Sequence, residues 1–445
     1  MRDFLPDDVR RREYVIGVIA DVYRRYGFEP LETPAVENIE TLLGKYGEEG
    51  DRLIFKILKR GEDGKQAGEA DLALRYDLTV PLARVVAEYR GQLPKFFKRY
   101  QIQPVWRADR PQRGRFREFY QCDVDAIGST SPVVEAEICA AVSDVLQRLG
   151  FADFTIKLNH RQVLTAMLDV AGIPAAAHGE VLIALDKLDK IQAEGVRAEF
   201  VQRGLPSEAL DRILAITGAA RAVTDAHGRP ERNAALLAQL GAALASHETG
   251  RAAVGVLEAI VALSAATSAH AHLALDTTLA RGLSYYTGAI FEIAVPDLAG
   301  SLGGGGRYDN LVGMFSGEPV PAAGFSLGLE RILVVMGERG MFPPSVGTVH
   351  ADVMVTIWDA ATIADALAVA RELRDAGLRV DVYPEADKLG KQFKYAASRH
   401  VPFVVIVGEA EAARGEVGLK DLRSGGQTAV PRAALAAAIR DKMTG

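Results

Sequence analysis

Polar and aromatic side chains alternate along two neighbouring segments, residues 98–109 and 116–125. Successive side chains of a β-strand point to opposite faces, so residues two apart share a face. The shared-face residues are Arg99, Gln101, Gln103, Arg107 and Asp109 in the first segment and Arg117, Phe119, Gln121, Asp123 and Asp125 in the second. They offer cations for an anion, a ring for stacking, and amides and carboxylates for a small polar molecule. This mixture predicts a hairpin that binds a nucleotide; the alternative is the solvated side of an antiparallel pair.

The linker between the two segments carries Arg110, Arg113 and Arg115 around Pro111 and Gly114. Proline and glycine favour a turn, and three guanidinium groups suit a polyanion. We therefore expect a mobile turn near the nucleotide site. The alternative is a basic surface loop without a partner.

Length and composition limit the classes of protein to which the chain can belong. Its 445 residues suffice for two or three domains, and its net charge of −6 restricts any nucleic-acid surface to a local basic patch. No run of about 18 apolar residues is present, and the first residues are charged, so we expect a soluble cytoplasmic protein with no membrane partner. Two cysteines argue against a disulfide framework, and the isolated His270 and His272 favour a structural role over a metal site.

The N-terminal part predicts a helix followed by mixed elements. Helical spacing extends from residue 9 to residue 26, and an extended segment at 28–33 suits a sheet edge because Pro30 and Pro34 cannot donate to a ladder. Residues 71–76 predict a strand. A helix follows from Leu78, and Asp77 or Thr79 is placed to cap it.

Residues 161–265 are rich in alanine, leucine and glutamate with helical periodicity, which predicts a helical insertion. Strand patterns resume at 272–276, 290–295 and 301–306. The last includes four consecutive glycines but no lysine of a phosphate loop, which predicts a strand packed closely against a neighbour or ligand. Residues 322–336 predict a strand that leads into a helix.

Apolar β-rich runs at 352–357, 378–383 and 402–407 alternate with helical stretches at 360–376 and 388–399. This alternation predicts a parallel sheet in a small α/β domain at residues 348–445. Lys388, Lys391 and Lys394 lie near one face of its second helix. A phosphate-contacting patch and an ordinary solvated face are equally good interpretations of that face.

Four motifs together resemble the histidyl-tRNA synthetases, a class II aminoacyl-tRNA synthetase family, over essentially the whole chain. Residues 28–34 (FEPLETP) look like the first class II motif, 105–125 like the second, and 324–331 (GFSLGLER) like the third. Residues 280–288 (ARGLSYYTG) are similar to the arginine and paired-tyrosine signature of the histidine enzymes.

The resemblance implies an α+β catalytic domain of the class II type, built on a mainly antiparallel sheet. This domain would occupy residues 1–347, including the insertion at about 161–265, and an α/β anticodon-binding domain would occupy 348–445. It also implies ligation of histidine to its tRNA through histidyl-adenylate, with ATP as Mg²⁺-ATP and no metal site of the protein itself. The implied partners are L-histidine, ATP, the histidine tRNA and a second copy in a homodimer.

The family's roles transfer to matching residues of this chain. The implied catalytic residues are Arg107 and Arg281. The implied ATP-binding residues are Arg107, Asp109, Arg115, Phe119 and Arg331. The implied histidine-binding residues are Asp77, Thr79, Gln121, Asp125, Tyr285 and Tyr286. Ser284 departs from the signature, which usually has aspartate there, and a neutral hydroxyl cannot supply the same charge.

Two other functions fit the same architecture. A synthetase-like regulatory subunit of ATP phosphoribosyltransferase resembles only the catalytic core, whereas this chain also has the C-terminal α/β segment and keeps Arg107 and Arg331. A non-catalytic binding module would require losses in the site that the sequence does not contain.

Overall fold

The computed structural model describes residues 1–59, 69–185, 188–222, 229–280, 285–344, 346 and 351–444. It divides into two compact units, one formed by Met1–Asp3 and Arg12–Met341, the other by Phe4–Arg11 and Phe342–Gly445. The predicted domain boundary between residues 347 and 348 lies outside the described residues and stays a prediction. No helix in the described ranges is both long and apolar enough to span a bilayer.

The larger unit contains strands and helices in mixed order. Its strands are β1 (Glu29–Pro30), β2 (Val36–Asn38), β3 (Lys56–Leu58), β4 (Ala70–Leu74), β5 (Phe97–Trp106), β6 (Glu118–Ile127), β7 (Thr155–His160), β8 (Leu273–Leu275), β9 (Ala289–Ala294), β10 (Ser301–Arg307) and β11 (Ala322–Gly328). Its helices are α1 (Pro6–Arg25, of which residues 12–25 belong to this unit), α2 (Ile39–Leu42), α3 (Gly47–Arg52), α4 (Thr79–Glu88), α5 (Val133–Arg148), α6 (Arg161–Ala171), α7 (His178–Leu185), α8 (Leu188–Gln202), α9 (Ser207–Ala222), α10 (Arg229–Ala243), α11 (Glu248–Ser264), α12 (Gly313–Ser316) and α13 (Leu329–Glu338).

An eight-stranded sheet in the order β1-β5-β6-β11-β10-β9-β7-β8 forms the centre of this unit. Only the two outermost pairs, β1–β5 and β7–β8, are parallel, so the predicted mainly antiparallel sheet is confirmed. The proline-containing segment forms edge strand β1, as its missing donors require. Strands β2, β4 and β3 form a smaller antiparallel sheet.

Helices occupy the described part of residues 161–264, from α6 to α11, with a short 3₁₀ turn at Ala175–Ala177. Gly172 ends α6 in the left-handed conformation (φ 81°) at the predicted turn, since glycine has no Cβ to clash there. The helical periodicity of this segment is therefore confirmed.

The smaller unit contains β12 (Val353–Val355), α14 (Ile363–Asp375), β13 (Val380–Val382), α15 (Leu389–Ser398), β14 (Phe403–Ile406), α16 (Glu409–Ala412), β15 (Glu416–Asp421), β16 (Gln427–Pro431), a 3₁₀ turn (Arg432–Ala434) and α17 (Leu435–Thr444). Its sheet has the order β13-β12-β14-β15-β16. The three predicted strands are parallel, but the parallel-sheet prediction was incomplete because β15 and β16 add antiparallel to one edge. Gly418 and Lys420 dilute the β pattern of β15, and β16 is largely exposed.

Candidate active site

The polar faces of β5 and β6 meet in register in the eight-stranded sheet. Arg99 pairs with Asp125, Gln101 with Asp123 and Gln103 with Gln121. The innermost side chains of this hairpin face are buried rather than solvated: Arg99 is 0% exposed, Asp123 1% and Asp125 2%, whereas Arg117 near the turn is exposed. The solvated-face interpretation is therefore wrong, because water does not compensate these charges.

Glycines in the neighbouring strands leave room for the buried carboxylates. Gly324 of β11 lies opposite Asp125, and a Cβ there would sit 1.9 Å from Asp125 Oδ1. In β10, a Cβ at Gly303 or Gly305 would lie 2.3 Å or 2.1 Å from a carbonyl oxygen of β11. The predicted close packing of the glycine run is confirmed. Because these glycines have no side chains, they leave space above the sheet.

A cavity of about 410 Å³ opens above this face of the sheet. Ten of the residues proposed from the sequence line it: Thr79, Arg107, Asp109, Arg115, Phe119, Gln121, Asp125, Tyr285, Tyr286 and Arg331. Asp77 is not among the lining residues, and Arg281 and Ser284 lie outside the described residues. A cavity of this size suits a small polar ligand together with part of a nucleotide.

Arg107 follows the end of β5 and is held from two sides. Its Nε donates to the Tyr76 carbonyl oxygen at 3.0 Å, and its guanidinium carbon lies 4.3 Å from the Tyr76 ring centroid and 5.1 Å from that of Phe119. These contacts leave the two terminal nitrogens without a hydrogen bond to any described residue. A fixed guanidinium of this kind can bind a phosphate oxygen.

Arg331, in the first turn of α13, lies close to the other cavity arginines. Its guanidinium donates to the carbonyl oxygens of Ser301 and Gly114. Burial lowers the pKa of Arg331, and the nearby cations Arg115 and Arg107 lower it further. Glu292 and Asp109 oppose these two effects on the pKa. Three cations gathered at one cavity favour a polyanionic ligand.

Asp77 precedes α4 and anchors two tyrosines, of which Tyr285 lines the cavity and Tyr46 does not. Its carboxylate accepts from Tyr46 Oη at 2.9 Å, Tyr285 Oη at 3.0 Å and the Val80 amide at 3.0 Å. The predicted capping role at α4 is thus present. Burial raises the pKa of Asp77 despite these donors.

Asp125 is fixed by a cation and a phenol. Arg99 Nη2 lies 2.9 Å from its Oδ2, and Tyr308 Oη donates to its Oδ1. Burial is the main cause of the raised pKa of Asp125, with the Arg99 cation opposing it. The carboxylate is thus held rigidly at the cavity wall, where it can accept from a ligand.

Several residues that were not predicted from the sequence help to hold the side chains around the cavity. Tyr308 holds Asp125, and Ser326 accepts from Gln121 Nε2 at 2.7 Å. The nearly buried pair of Arg12 and Glu330 (2.7 Å) joins α1 to α13, and Glu330 also accepts from the Tyr120 amide. The only sequence signal for Tyr308 is its place two residues after the glycine run.

The arginine linker is less free than its composition predicts. Arg113 donates to the Glu338 carboxylate and, at 3.3 Å, to the Asp297 carbonyl oxygen. An exposed ion pair with a residue distant in sequence therefore holds Arg113, which the sequence pattern could not predict. Arg115 lines the cavity, and Gly114 adopts a φ of 68° in the turn.

No group of three or more histidine, cysteine, aspartate or glutamate side chains in the described ranges is placed to hold a metal ion. His272 stacks on Phe154 with ring centroids 3.8 Å apart, in keeping with its predicted structural role. Both cysteines are buried and free.

Two family models match the chain. The model described as histidyl-tRNA synthetase matches residues 1–332, and the one described as anticodon binding domain matches residues 352–442. The chain belongs to the histidyl-tRNA synthetase family. It is 42% identical to a histidine–tRNA ligase of Christiangramia forsetii, covering 96% of this chain and 95% of the relative. It is also 42% identical to one of Gloeobacter violaceus, covering 97% and 95%.

Solved structures of this family have the same fold. A histidyl-tRNA synthetase from Nostoc sp. superposes with a TM-score of 0.82 at 32% identity, covering 99% of this chain and 97% of that one. A Bacillus halodurans structure titled as an ATP phosphoribosyltransferase regulatory subunit/histidyl-tRNA synthetase has a TM-score of 0.71 at 24% identity, with 91% and 96% covered. The second likeness concerns the fold alone.

Proposed function

We propose that this chain ligates histidine to its tRNA in two ATP-dependent steps. The histidine carboxylate attacks the α-phosphorus of ATP, pyrophosphate leaves, and histidyl-adenylate forms; the terminal adenosine hydroxyl of the tRNA then attacks the activated carbonyl and releases AMP. The observation that carries the proposal is one cavity lined by a cluster of arginines and by a buried set of amide and carboxylate acceptors. Membership of the histidyl-tRNA synthetase family supports the same reaction.

The arginine cluster would bind ATP. Arg107 would contact the α-phosphate, Phe119 would stack on adenine, and Arg331 would contact the triphosphate. Asp109 and Arg115 would complete this part of the site; they line the cavity, and Arg115 Nη1 lies 3.9 Å from Asp109 Oδ1. Mg²⁺ would enter with ATP.

The carboxylate and amide groups would bind histidine. Gln121 and Thr79 would contact its amino group, with Asp77 acting through Tyr285, whose hydroxyl it holds at 3.0 Å. Asp125 and Tyr286 would hydrogen-bond the imidazole. Phe119 and Asp125 lie six residues apart in β6, and six residues of a strand span about 20 Å. One strand would therefore contact both adenine and the imidazole.

Charge stabilisation would supply most of the rate, because no side chain here is required for a covalent intermediate. Arg281 would lie between the histidine carboxylate and the α-phosphate, where it offsets their repulsion and stabilises negative charge at phosphorus. Arg281 is outside the described residues, so this role rests on the family signature. Arg281→Ala should greatly slow the exchange of pyrophosphate into ATP, and near-normal exchange would contradict the role.

The tRNA would contact both units. The arginine linker, through Arg110 and Arg115, would approach the acceptor end, and the segment matched by the anticodon-binding model would reach the anticodon. Lys388, Lys391 and Lys394 are exposed there, although Lys391 also pairs with Asp387 at 3.0 Å. A homodimer in the cytoplasm is part of the same proposal.

The direct test is histidine-dependent exchange of labelled pyrophosphate into ATP, repeated with each of the amino acids in turn. Histidine alone should support exchange. Exchange with another amino acid would overturn the substrate assignment. No exchange with any of them would favour the regulatory-subunit alternative or a non-catalytic module.

A further inference from the structure

Arg99 is buried next to the candidate histidine site but does not line the cavity. Its side chain is 0% exposed, and it stands directly opposite Asp125 in the pairing of β5 with β6. Its Nη2 atom lies 2.9 Å from Asp125 Oδ2 and donates to the Leu78 carbonyl oxygen at 3.3 Å. Asp123 Oδ2 lies farther from the same atom, at 3.9 Å. One nitrogen of Arg99 thus contacts two separate parts of the cavity wall.

The Leu78 carbonyl oxygen belongs to the turn that begins α4. Leu78 is the N-cap residue between Asp77 and Thr79, and Asp77 Oδ1 accepts from the Val80 amide at 3.0 Å in the same turn. Thr79 lines the cavity and is 8% exposed. The hydrogen bond from Arg99 therefore helps to fix the backbone that carries Thr79.

Asp125 is held between its neighbours in the sheet. On one side lies Arg99, and on the other the carboxylate lies over Gly324 of β11, where an added Cβ would approach Oδ1 to 1.9 Å. Tyr308 Oη donates to the same oxygen. Each carboxylate oxygen accepts more than one hydrogen bond, so Asp125 can still accept from a ligand. Because Tyr308 holds Oδ1, the contact with Arg99 determines where Oδ2 lies.

We propose that Arg99 is a positioning residue that couples the two ends of bound histidine. It holds Asp125, the acceptor for the imidazole, at a fixed distance from Thr79, which would contact the amino group. This inference rests on the proposed function and leaves the imidazole with Asp125 and Tyr286. A guanidinium suits the role because its Nη2 carries two N–H donors in fixed directions and stays charged when buried, so one atom can donate to both acceptors.

A positioning role and a purely structural role of Arg99 predict different kinetics. If Arg99 only neutralised buried carboxylates, its replacement would reduce the amount of folded protein and leave substrate binding by the remainder unchanged. The positioning role predicts a selective loss instead. The KM for histidine rises and the KM for ATP does not, because the acceptors of Arg99 belong to the histidine part of the site. Steady-state pyrophosphate exchange by the full chain measures both constants.

Two replacements of Arg99 should give graded effects. Arg99→Lys keeps the charge, but the ammonium of a flexible lysine chain is not fixed between both acceptors. We expect its KM for histidine to rise about tenfold, as for a lost hydrogen bond to a charged group, with the KM for ATP within about twofold of the wild type. Arg99→Met also removes the charge and should raise the KM for histidine about 100-fold, since Asp125 would lose its position.

Arg75→Met is the matched control. Arg75 is almost as buried, at 1% exposed, but it donates to the carbonyl oxygens of Thr33 and Pro104 and does not line the cavity. Its KM for histidine should match that of the wild type. An unchanged KM for histidine in Arg99→Lys would overturn the proposal, and so would an equal rise of both constants in that variant. Because Arg99→Lys keeps the buried charge, this test does not depend on whether Arg99→Met folds.

A ligand without the amino group tests the coupling itself. Des-amino-histidine keeps the ring and the carboxylate, so it should inhibit exchange in competition with histidine. In Arg99→Lys, its inhibition constant should rise by a smaller factor than the KM for histidine, because this ligand does not use the contact at Thr79. Equal factors would show that Arg99 acts through Asp125 alone and would overturn the coupling.

The wild-type measurement separates this inference from the proposed function. If histidine supports exchange by the wild type and Arg99→Lys has the same KM for histidine, only the positioning role is wrong. If histidine supports no exchange by the wild type, the proposed function fails and this inference fails with it.

Discussion

One face of the eight-stranded sheet buries polar side chains, whereas the central strands of the five-stranded sheet bury apolar ones. In the eight-stranded sheet, the face of β5 and β6 buries Arg99, Gln101, Asp123 and Asp125. In the five-stranded sheet, β12 and β14 bury only apolar residues at their paired positions on both faces: Val353, Met354, Val355, Phe403, Val404 and Val405.

The apolar sheet gains stability from every buried side chain, whereas the polar face costs stability unless each charge is paired. A buried polar face of this kind indicates that a ligand pairs with its charges. The difference between the sheets therefore points to the same candidate site as the motifs do. Substitutions in the two sheets should have different consequences.

The largest expected effect on stability is in the apolar sheet. Phe403→Ala should destabilise the smaller unit by about 3–5 kcal/mol, because it removes a fully buried ring and leaves a cavity. Hydrogen exchange followed on peptides from residues 352–442 measures this loss. Pyrophosphate exchange should stay near the wild-type rate, since every cavity-lining residue belongs to the larger unit; a large fall in that rate would contradict the separation.

In the polar site, Arg107→Ala should affect the exchange rate rather than the stability of the smaller unit. We expect a fall of about 10²–10³-fold in histidine-dependent pyrophosphate exchange, since a fixed donor to the α-phosphate would be lost. The matched control is Arg148→Ala, which removes only a surface pair with Asp21 and should leave exchange unchanged. If Arg107→Ala exchanged pyrophosphate at the wild-type rate, Arg107 would not be the residue that contacts the α-phosphate.

A smaller effect concerns the pH dependence of stability in the polar sheet. Burial raises the folded-state pKa of Asp123 to about 7, above its unfolded value of 3.8. Ionised Asp123 therefore destabilises the fold increasingly as the pH rises from about 4 to 7, and the cost is constant above that range.

Asp123→Asn should remove this penalty. The variant's Tm should exceed that of the wild type by more at pH 8 than at pH 5, in the absence of histidine. A Tm difference that does not change with pH would show that Asp123 is not destabilised by ionisation.

The smallest expected effect is a volume-conserving exchange in the apolar sheet. Met354 is fully buried, and Met354→Leu should cost less than about 1.5 kcal/mol. It should leave the pH dependence of Tm unchanged because no ionisable group is altered. A pH-dependent change as large as that of Asp123→Asn would remove the distinction between the two sheets.

Local patterns in the sequence predicted the secondary-structure elements well, but they predicted the long-range contacts between those elements poorly. Alternation gave the hairpin and placed Asp123 and Asp125 on one face, and proline placed β1 at an edge. Alternation could not reveal that this face is buried, because burial depends on β10 and β11, whose glycines lie about 200 residues away in the chain. The ion pair of Arg113 with Glu338 and the hydrogen bond of Tyr308 to Asp125 were missed for the same reason.

The antiparallel pair β15–β16 was missed for a local reason, since glycine, lysine and exposed residues weaken its pattern. The cavity residues of the hairpin were found because arginine, aromatic and carboxylate groups rarely share one strand face without a ligand, whereas Thr79, Tyr285, Tyr286 and Arg331 were found through the family resemblance. Their assignment to ATP or histidine came from the family resemblance rather than from spacing.

The buried polar face should select histidine, and the steady-state kinetics of Asp125→Ala measure this selection. The measurement is kcat/KM for histidine in pyrophosphate exchange, compared with that of the wild type and with exchange supported by glutamine and asparagine. We predict a fall of at least about 100-fold for histidine, because the site would lose its fixed acceptor for the ring. Unchanged kcat/KM with an unchanged preference for histidine would contradict the account.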